Sequence, residues 1–331
     1  MNNSAPVVTL TPAGAIDATY HVSRLELGGF VRAADYEREV SGKGVNVSAA
    51  LAHAGRESAA VVVLGDDDVA FARHCAHAAL LRIVTVPGAT RVNTSIIDAG
   101  GATTKVNAPA PPLARDAWER AVSATLDELD RRRAGWLVIS GTIPPLEDQS
   151  VPADLGELLR EVAARGIRIA IDTSGEALAR AAANPRAIAL LKPNTHELAD
   201  LAGRELRTIG DVAAASGELV ARGVGAVYTS MGADGVLVVA PGVTVHAQAR
   251  AVRVANTAGA GDASLAGYLV GFGLADTPDR YATAAAAAAS WGAHAVAQTS
   301  TILPHLDALP LATIVLDPDP SIPLTEPAVT S

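Results

Sequence analysis

Cysteine is nearly missing: Cys75 is the single one in 331 residues, which excludes a disulfide framework within the chain. Basic residues are also in the minority, 26 Lys and Arg against 35 Asp and Glu, for a net charge of -9. That balance argues against a nucleic-acid protein, which would carry a basic face, and leaves room only for a local cationic pocket. Long hydrophobic runs are lacking too. The most apolar stretch, Tyr281 to Ala297, is mostly alanine interrupted by Ser290 and His294, which suits a close-packed internal helix better than a membrane span. The start Met-Asn-Asn-Ser shows no basic-then-apolar signal pattern, so a cytoplasmic protein without a membrane partner is expected. No G-x-S-x-G or H-E-x-x-H string occurs, which removes the sequence basis for serine hydrolysis and zinc proteolysis. His74, Cys75 and His77 fall on one segment, but no fourth ligand stands at motif spacing.

What is present concentrates near the C-terminal end. In Asn256-Thr-Ala-Gly-Ala-Gly-Asp-Ala-Ser264 a small-residue turn runs into a helix expected over Asp262 to Phe272. Gly259 and Gly261 allow close approach of a ligand to the peptide planes. The first amides of a helix lack internal partners and sit at the positive end of its dipole, so the turn is suited to a phosphate or a developing anion. Asp262 is the carboxylate beside it, and reads equally as a helix cap. A second glycine turn, Ser41-Gly42-Lys43-Gly44-Val45-Asn46, also feeds a helix. It is no Walker loop, because Glu37 and Gly44 stand where that motif needs glycine and a hydroxyl residue.

Read in order, the chain gives a strand at Val7 to Leu10 that leads to Asp17. Glycine-broken strand segments follow over Tyr20 to Val40, set apart from the main sheet as a β flap. The pattern continues with a helix from Gly42 to Ala54, a strand at Ala59 to Leu64, a helix at Val69 to Leu80, and a strand pair over Arg91 to Lys105 that could complete the flap. Beyond Pro112 strands and helices alternate: helices at Ala114 to Arg132, Ala153 to Arg165, Gly175 to Ala183, Thr195 to Ala202 and Ile209 to Ala221, with strands at Trp136 to Ser140, Ile167 to Ile171, Ala187 to Leu191 and Ala226 to Ser230. Such alternation predicts a mostly parallel sheet covered on both faces, with ligands at the carboxyl ends of the strands. After Ile314 the chain is rich in proline and acid, and a loose tail is expected. Asn194 and Glu197 stand three apart at a helix start. They read either as a capping box or as two oxygen groups holding a hydrated magnesium ion through its waters.

Taken together, TLTPAGAID, SGKGVN, TRVN, ISGTIPP, LLKPNTHEL, TSMGADG and NTAGAGDAS resemble, in order and rough spacing, the motifs of the ribokinase-like (PfkB) sugar kinases. The resemblance covers about residues 7 to 305 and is strongest to the phosphosugar branch, which comprises 1-phosphofructokinase, tagatose-6-phosphate kinase and the minor 6-phosphofructokinase. It implies an α/β fold, a three-layer α/β/α domain over residues 1–313 with lid strands at about 18–41 and 91–107, followed by a Pro/acid-rich tail at 314–331. The implied activity is ATP-dependent phosphorylation of fructose 1-phosphate, fructose 6-phosphate or tagatose 6-phosphate. By similarity Asp262 is the base, and the amides around Gly259, Ala260 and Gly261 form the anion hole. The resemblance places the sugar phosphate at Asp17, Gly42, Lys43, Asn46, Arg91, Asn93 and Ser140. It gives the nucleotide Lys192, Asn194, Ser230, Gly232, Gly235 and Gly261, and Mg2+ Asn194 and Glu197 through water. It also implies a homodimer through the lid, with Arg32 reaching a neighbouring subunit's site. Three departures from the family pattern stand out: Ala13-Gly14 in the first motif, Ala108-Pro109-Ala110, and Ser300. The alternatives are a kinase of an unphosphorylated sugar or nucleoside, and a catalytically silent sugar-phosphate sensor.

Overall fold

The protein is described by a computed structural model covering residues 5–251, 253–274 and 279–328. The chain opens with Val7–Thr11 (β1), then leaves the main body along Ala15–Val22 (β2) and returns on Asp35–Ser41 (β3). Helix Lys43–His53 (α1), strand Ser58–Gly65 (β4), a single helical turn Val69–Ala72 (α2) and strand Leu81–Val86 (β5) follow. The hairpin Val92–Asp98 (β6) and Thr103–Asn107 (β7) turns at Gly100-Gly101. Next come Arg115–Arg132 (α3), Trp136–Ser140 (β8), Gly156–Ala164 (α4), Arg168–Asp172 (β9), Gly175–Ala182 (α5), Leu190–Leu191 (β10) and Thr195–Ala202 (α6). The remainder is Leu206–Thr208 (β11), Ile209–Ala221 (α7), Val227–Ser230 (β12), Val236–Ala240 (β13), Val243–Ala249 (β14), Ala260–Leu274 (α8), Arg280–Ala295 (α9), Ala312–Leu316 (β15) and Pro323–Ala328 (β16).

The central sheet runs in the order β15-β14-β13-β12-β10-β9-β8-β1-β4-β5. From β12 to β5 each neighbouring pair is parallel, and β13, β14 and β15 add on as antiparallel strands. Strands buried on both faces should be apolar throughout rather than alternating. Accordingly β1, β4 and β8 are buried at every residue. Period two still sorts the two faces. Leu137 and Ile139 enter one core with α3 to α7, whereas Trp136 and Val138 enter the other with α1, α8 and α9. The result is a three-layer α/β/α arrangement. A separate four-stranded sheet, β3-β2-β6-β7, projects from it as a lid, with Asp17 paired to both Asn93 and Glu39.

Several expectations need correction. The helix read over Val69 to Leu80 stops after one turn, because His74 Nδ1 and Cys75 Sγ take the carbonyls of Ala70 and Ala72, a local bond that competes with helix continuation. The strand that follows, β5, had no expectation attached to it. The strand read over Ala187 to Leu191 shrinks to Leu190–Leu191, since Pro185–Ala187 coils as a 3-10 turn. The loose tail is the largest correction. Its residues form β15, paired with β14, and β16, paired antiparallel with β11. Leu324 and Ala328 are buried in the larger core, so the burial of two apolar side chains and ladder bonding outweigh the proline-rich composition.

Candidate active site

Parallel strands deliver their carboxyl ends to one edge of the sheet, and the lid overhangs that edge. Between them lies a cleft of about 430 Å³. Asp17, Gly42, Lys43, Asn46, Arg91, Asn93, Lys192, Gly259, Gly261 and Asp262 all line it, so both glycine turns and two lid strands converge on one place. Four cationic side chains, Lys43, Arg91, Lys105 and Lys192, face the cleft in a chain whose net charge is -9.

Asp262 is the third residue of α8 and is 6% exposed. Asn46 Nδ2 donates to its Oδ2 at 2.8 Å. Burial pushes the Asp262 carboxyl up to about 6; Lys43 pulls it down, and Asp172 adds to the rise. At neutral pH it is mostly ionised, yet close enough to its titration range to take up a proton. The turn before it is fixed by Asn256, whose Oδ1 accepts from the Ala258 amide at 3.0 Å. Gly259 has φ 75, and a Cβ there would lie 1.9 Å from the Thr301 carbonyl, so only glycine fits. A Cβ on Gly261 would meet Lys192 Nζ at 3.4 Å, which sets that ammonium against the helix start.

Asp172, at the end of β9, is 1% exposed and ties two of the lysines together. Lys43 Nζ donates to its Oδ1 at 2.9 Å, and Lys192 Nζ stands 3.3 Å from its Oδ2. Burial alone would raise the Asp172 carboxyl, but Lys192 and Lys43 together hold it below the ordinary carboxylate value. Asp172 in turn raises Lys43 against the effect of burial. On the lid, Asn93 Nδ2 donates to Asp17 Oδ1 at 3.1 Å. Burial lifts the Asp17 carboxyl, with Ser41 and Asn93 opposing the rise. The buried Oδ1 atoms of Asn46 and Asn93 have no protein partner.

Not every expected residue is brought to the cleft. Ser140 is fully buried, its Oγ lacks a partner, and Gly141 and Thr142 take the lining position instead. Arg91 lines the cleft, but its guanidinium donates to the carbonyls of Gly14, Ala108 and Ala13 at 3.1 to 3.2 Å. Two of the departures from the family pattern therefore meet on one side chain through their backbone. Asn194 and Glu197 form a complete capping box, Asn194 Oδ1 accepting from the Glu197 amide and Glu197 Oε2 from the Asn194 amide. Ser230 joins them through a parallel bridge to Asn194 and leads into the turn with Gly232 and Gly235, outside the cleft lining. Lys105 and Asn256 escaped sequence reasoning as site members, whereas Asp172 is one of the polar residues that the sequence puts at the carboxyl ends of strands, with Ser140, Lys192 and Ser230. The contact of Lys105 Nζ with Asn256 Oδ1, 3.1 Å across 151 residues, leaves no local signal.

The family model for pfkB family carbohydrate kinases matches residues 8–308. The chain belongs to the pfkB family. A 1-phosphofructokinase from Rhodobacter capsulatus is 38% identical over 289 residues, covering 84% of this chain and 88% of that protein. Phosphofructokinase-2 from Escherichia coli, solved in complex with potassium, superposes with a TM-score of 0.79 at 27% identity, covering 91% of this chain and 96% of that one. The tetrameric inhibited form of the same enzyme gives 0.75 at 27% identity, over 90% and 96%. This pfkB protein is thus a carbohydrate kinase, a phosphotransferase with an alcohol group as acceptor. Among the described residues no helix is long and apolar enough to cross a membrane.

Proposed function

We propose that this kinase transfers the γ-phosphoryl group of ATP to a hexose phosphate, with fructose 1-phosphate as the acceptor of choice. The observation that carries the reading is Asp262, a buried carboxylate at the start of α8, opening on a cleft lined by four cationic side chains. Asp262 takes the proton of the acceptor hydroxyl as that oxygen attacks the γ-phosphorus. The bond to the bridging oxygen breaks, and ADP leaves. Phosphoryl transfer depends chiefly on positioning and charge stabilisation, and the amides of Gly259, Ala260 and Gly261 with Lys192 supply positive charge where it develops. Asp17 and the free oxygens of Asn46 and Asn93 orient the sugar hydroxyls, while Lys43, Arg91 and Lys105 face its phosphate.

Magnesium fits this site as a water-bearing companion of the nucleotide phosphates. Among the described residues no group of three or more His, Cys, Asp or Glu is placed to hold a metal, and such a hydrated ion needs few direct protein ligands. Asn194 and Glu197, with Glu197 Oε1 left over from the capping box, would hold its waters. When bound, the ion neutralises charge on the transferring group. The turn from Ser230 to Gly235 is assigned to the nucleotide.

The lid loop exposes Leu27 at 98% and Phe30 at 89%, which supports a homodimer joined lid to lid in the cytoplasm. Light scattering on the wild type and on Phe30→Asp checks this: a dimer that the substitution dissociates is expected, and a wild-type monomer at assay concentration contradicts it. The activity is tested by incubating the enzyme with MgATP and fructose 1-phosphate and following both phosphates by 31P spectroscopy. Stoichiometric bisphosphate and ADP are expected; ADP without sugar bisphosphate would overturn the reading.

A further inference from the structure

The last strand lies outside the matched family region, which ends at residue 308, yet it is fastened to the body at several points. Strand β16 pairs with β11, Leu206 opposite Ala328 and Thr208 opposite Pro323. The first two amides of α7, which have no partner inside that helix, donate to the tail: Ile209 N to the Ile322 carbonyl at 2.9 Å and Gly210 N to the Pro320 carbonyl at 3.0 Å. Leu324 is 5% exposed and Ala328 fully buried. These contacts bring Thr325 beside the turn that follows β12. Its amide donates to Asp234 Oδ2 at 2.8 Å and its hydroxyl to Asp234 Oδ1 at 2.5 Å.

Asp234 is a member of that turn's 3-10 segment, Gly232–Asp234. The rest of the turn is gripped from its other sides. His246 Nε2 donates to the Asp234 carbonyl at 2.6 Å, Gln248 Nε2 to the Ala233 carbonyl at 2.7 Å, and the Ser230 amide to the Pro193 carbonyl at 3.1 Å. Both oxygens of the one carboxylate in the turn are held by a single tail residue. A bidentate contact to an ionised group fixes orientation as well as distance.

We infer that the C-terminal strand is a strap that sets the Ser230–Gly235 turn through the Thr325–Asp234 pair, making Thr325 a positioning residue for the nucleotide. The inference rests on the assignment of that turn to ATP. The strap acts on nucleotide affinity and not on the chemical step, because Thr325 touches the turn through Asp234 and is not among the residues that line the cleft.

Thr325→Val keeps the β-branched shape that suits a strand and removes the hydroxyl donor, so its fold should persist, which its melting curve verifies. It is expected to raise KM for ATP three- to tenfold, with kcat and the KM for the sugar phosphate within twofold of wild type. Thr325→Ser should restore ATP affinity. Ser230→Ala is assayed alongside, and direct ATP titration provides a second readout. If Ser230→Ala weakens ATP binding and Thr325→Val does not, the strap is refuted and the nucleotide assignment stands. If neither variant alters ATP binding, the assignment itself fails and the strap with it. A Thr325→Val enzyme with equal losses in ATP affinity, sugar-phosphate affinity and kcat would reduce the strap to general stability and overturn the inference.

Discussion

Asn46 and Asp262, 216 residues apart in sequence, are joined by a hydrogen bond of 2.8 Å. Each sits just inside a helix that begins after a glycine turn, so the bond couples the turn proposed for the sugar to the turn proposed for the phosphoryl group.

Replacing Asp262 by Asn keeps the side chain's shape and its capping capacity while removing the base. Turnover is expected to fall by about 10² or more, with ATP binding and melting temperature nearly unchanged. Steady-state kinetics with a binding titration checks this. Wild-type turnover in Asp262→Asn would take Asp262 out of the mechanism.

The pH profile follows from the same residue. Because burial holds the Asp262 carboxyl at about 6 and the base must be ionised, kcat should rise with pH along an acid limb near that value. Asn46 and Lys43 both pull the carboxyl down, so Asn46→Leu and Lys43→Met are each expected to move the limb to higher pH. A limb that stays in place in both variants would mean that another group titrates.

Asp172 carries the largest structural consequence. Its folded-state carboxyl is held below its ordinary value, so its ionised form stabilises the protein at neutral pH, and that stability is lost as pH falls through the carboxylate range. Removing one partner of a buried pair leaves uncompensated charge and costs about 3 to 5 kcal/mol. Asp172→Asn should therefore unfold at distinctly lower denaturant than wild type at pH 7, with the gap closing toward pH 3. Denaturant titrations at the two pH values decide it; a gap that is constant with pH contradicts the ion-pair account.

Arg91 is expected to behave as a clamp between loops as well as a cation. Lysine keeps the charge but cannot span the three carbonyls of Ala13, Gly14 and Ala108, so the substitution is not conservative. Arg91→Lys should raise KM for the sugar phosphate at least tenfold and lower the melting temperature, leaving KM for ATP within twofold. A variant with wild-type sugar-phosphate KM would make Arg91 a spectator.

Much of this was legible in the sequence, for a physical reason. Strands buried on both faces write themselves as apolar runs such as Val7 to Leu10 and Trp136 to Ile139, and the glycine turns mark the helix starts that follow them. The convergence of Asp17, Lys43, Asn46 and Asp262 could be anticipated because parallel strands send their carboxyl ends to one edge. The features not legible there are long-range or context-dependent. Asp172 gains its role from two lysines, one of which, Lys43, lies 129 residues away. Ser140 follows a strand as a site residue should, but the register beside Asp172 buries it. The tail reads as loose because neither Leu324 nor Ala328 shows a period, and their burial depends on β11 being there to receive them.

The acceptor proposed here already carries a phosphate, held by the cleft cations. The direct test is the rate of ADP release with MgATP and, in separate assays, fructose 1-phosphate, fructose 6-phosphate, tagatose 6-phosphate and free fructose, for wild type and Lys43→Ala. The highest kcat/KM is expected for fructose 1-phosphate, at least about tenfold above free fructose, since a charge-assisted contact contributes about 1.5 to 3 kcal/mol, with that advantage lost in Lys43→Ala. Equal kcat/KM for fructose and its phosphates, unaltered by the substitution, would contradict this expectation and leave a kinase of free sugars.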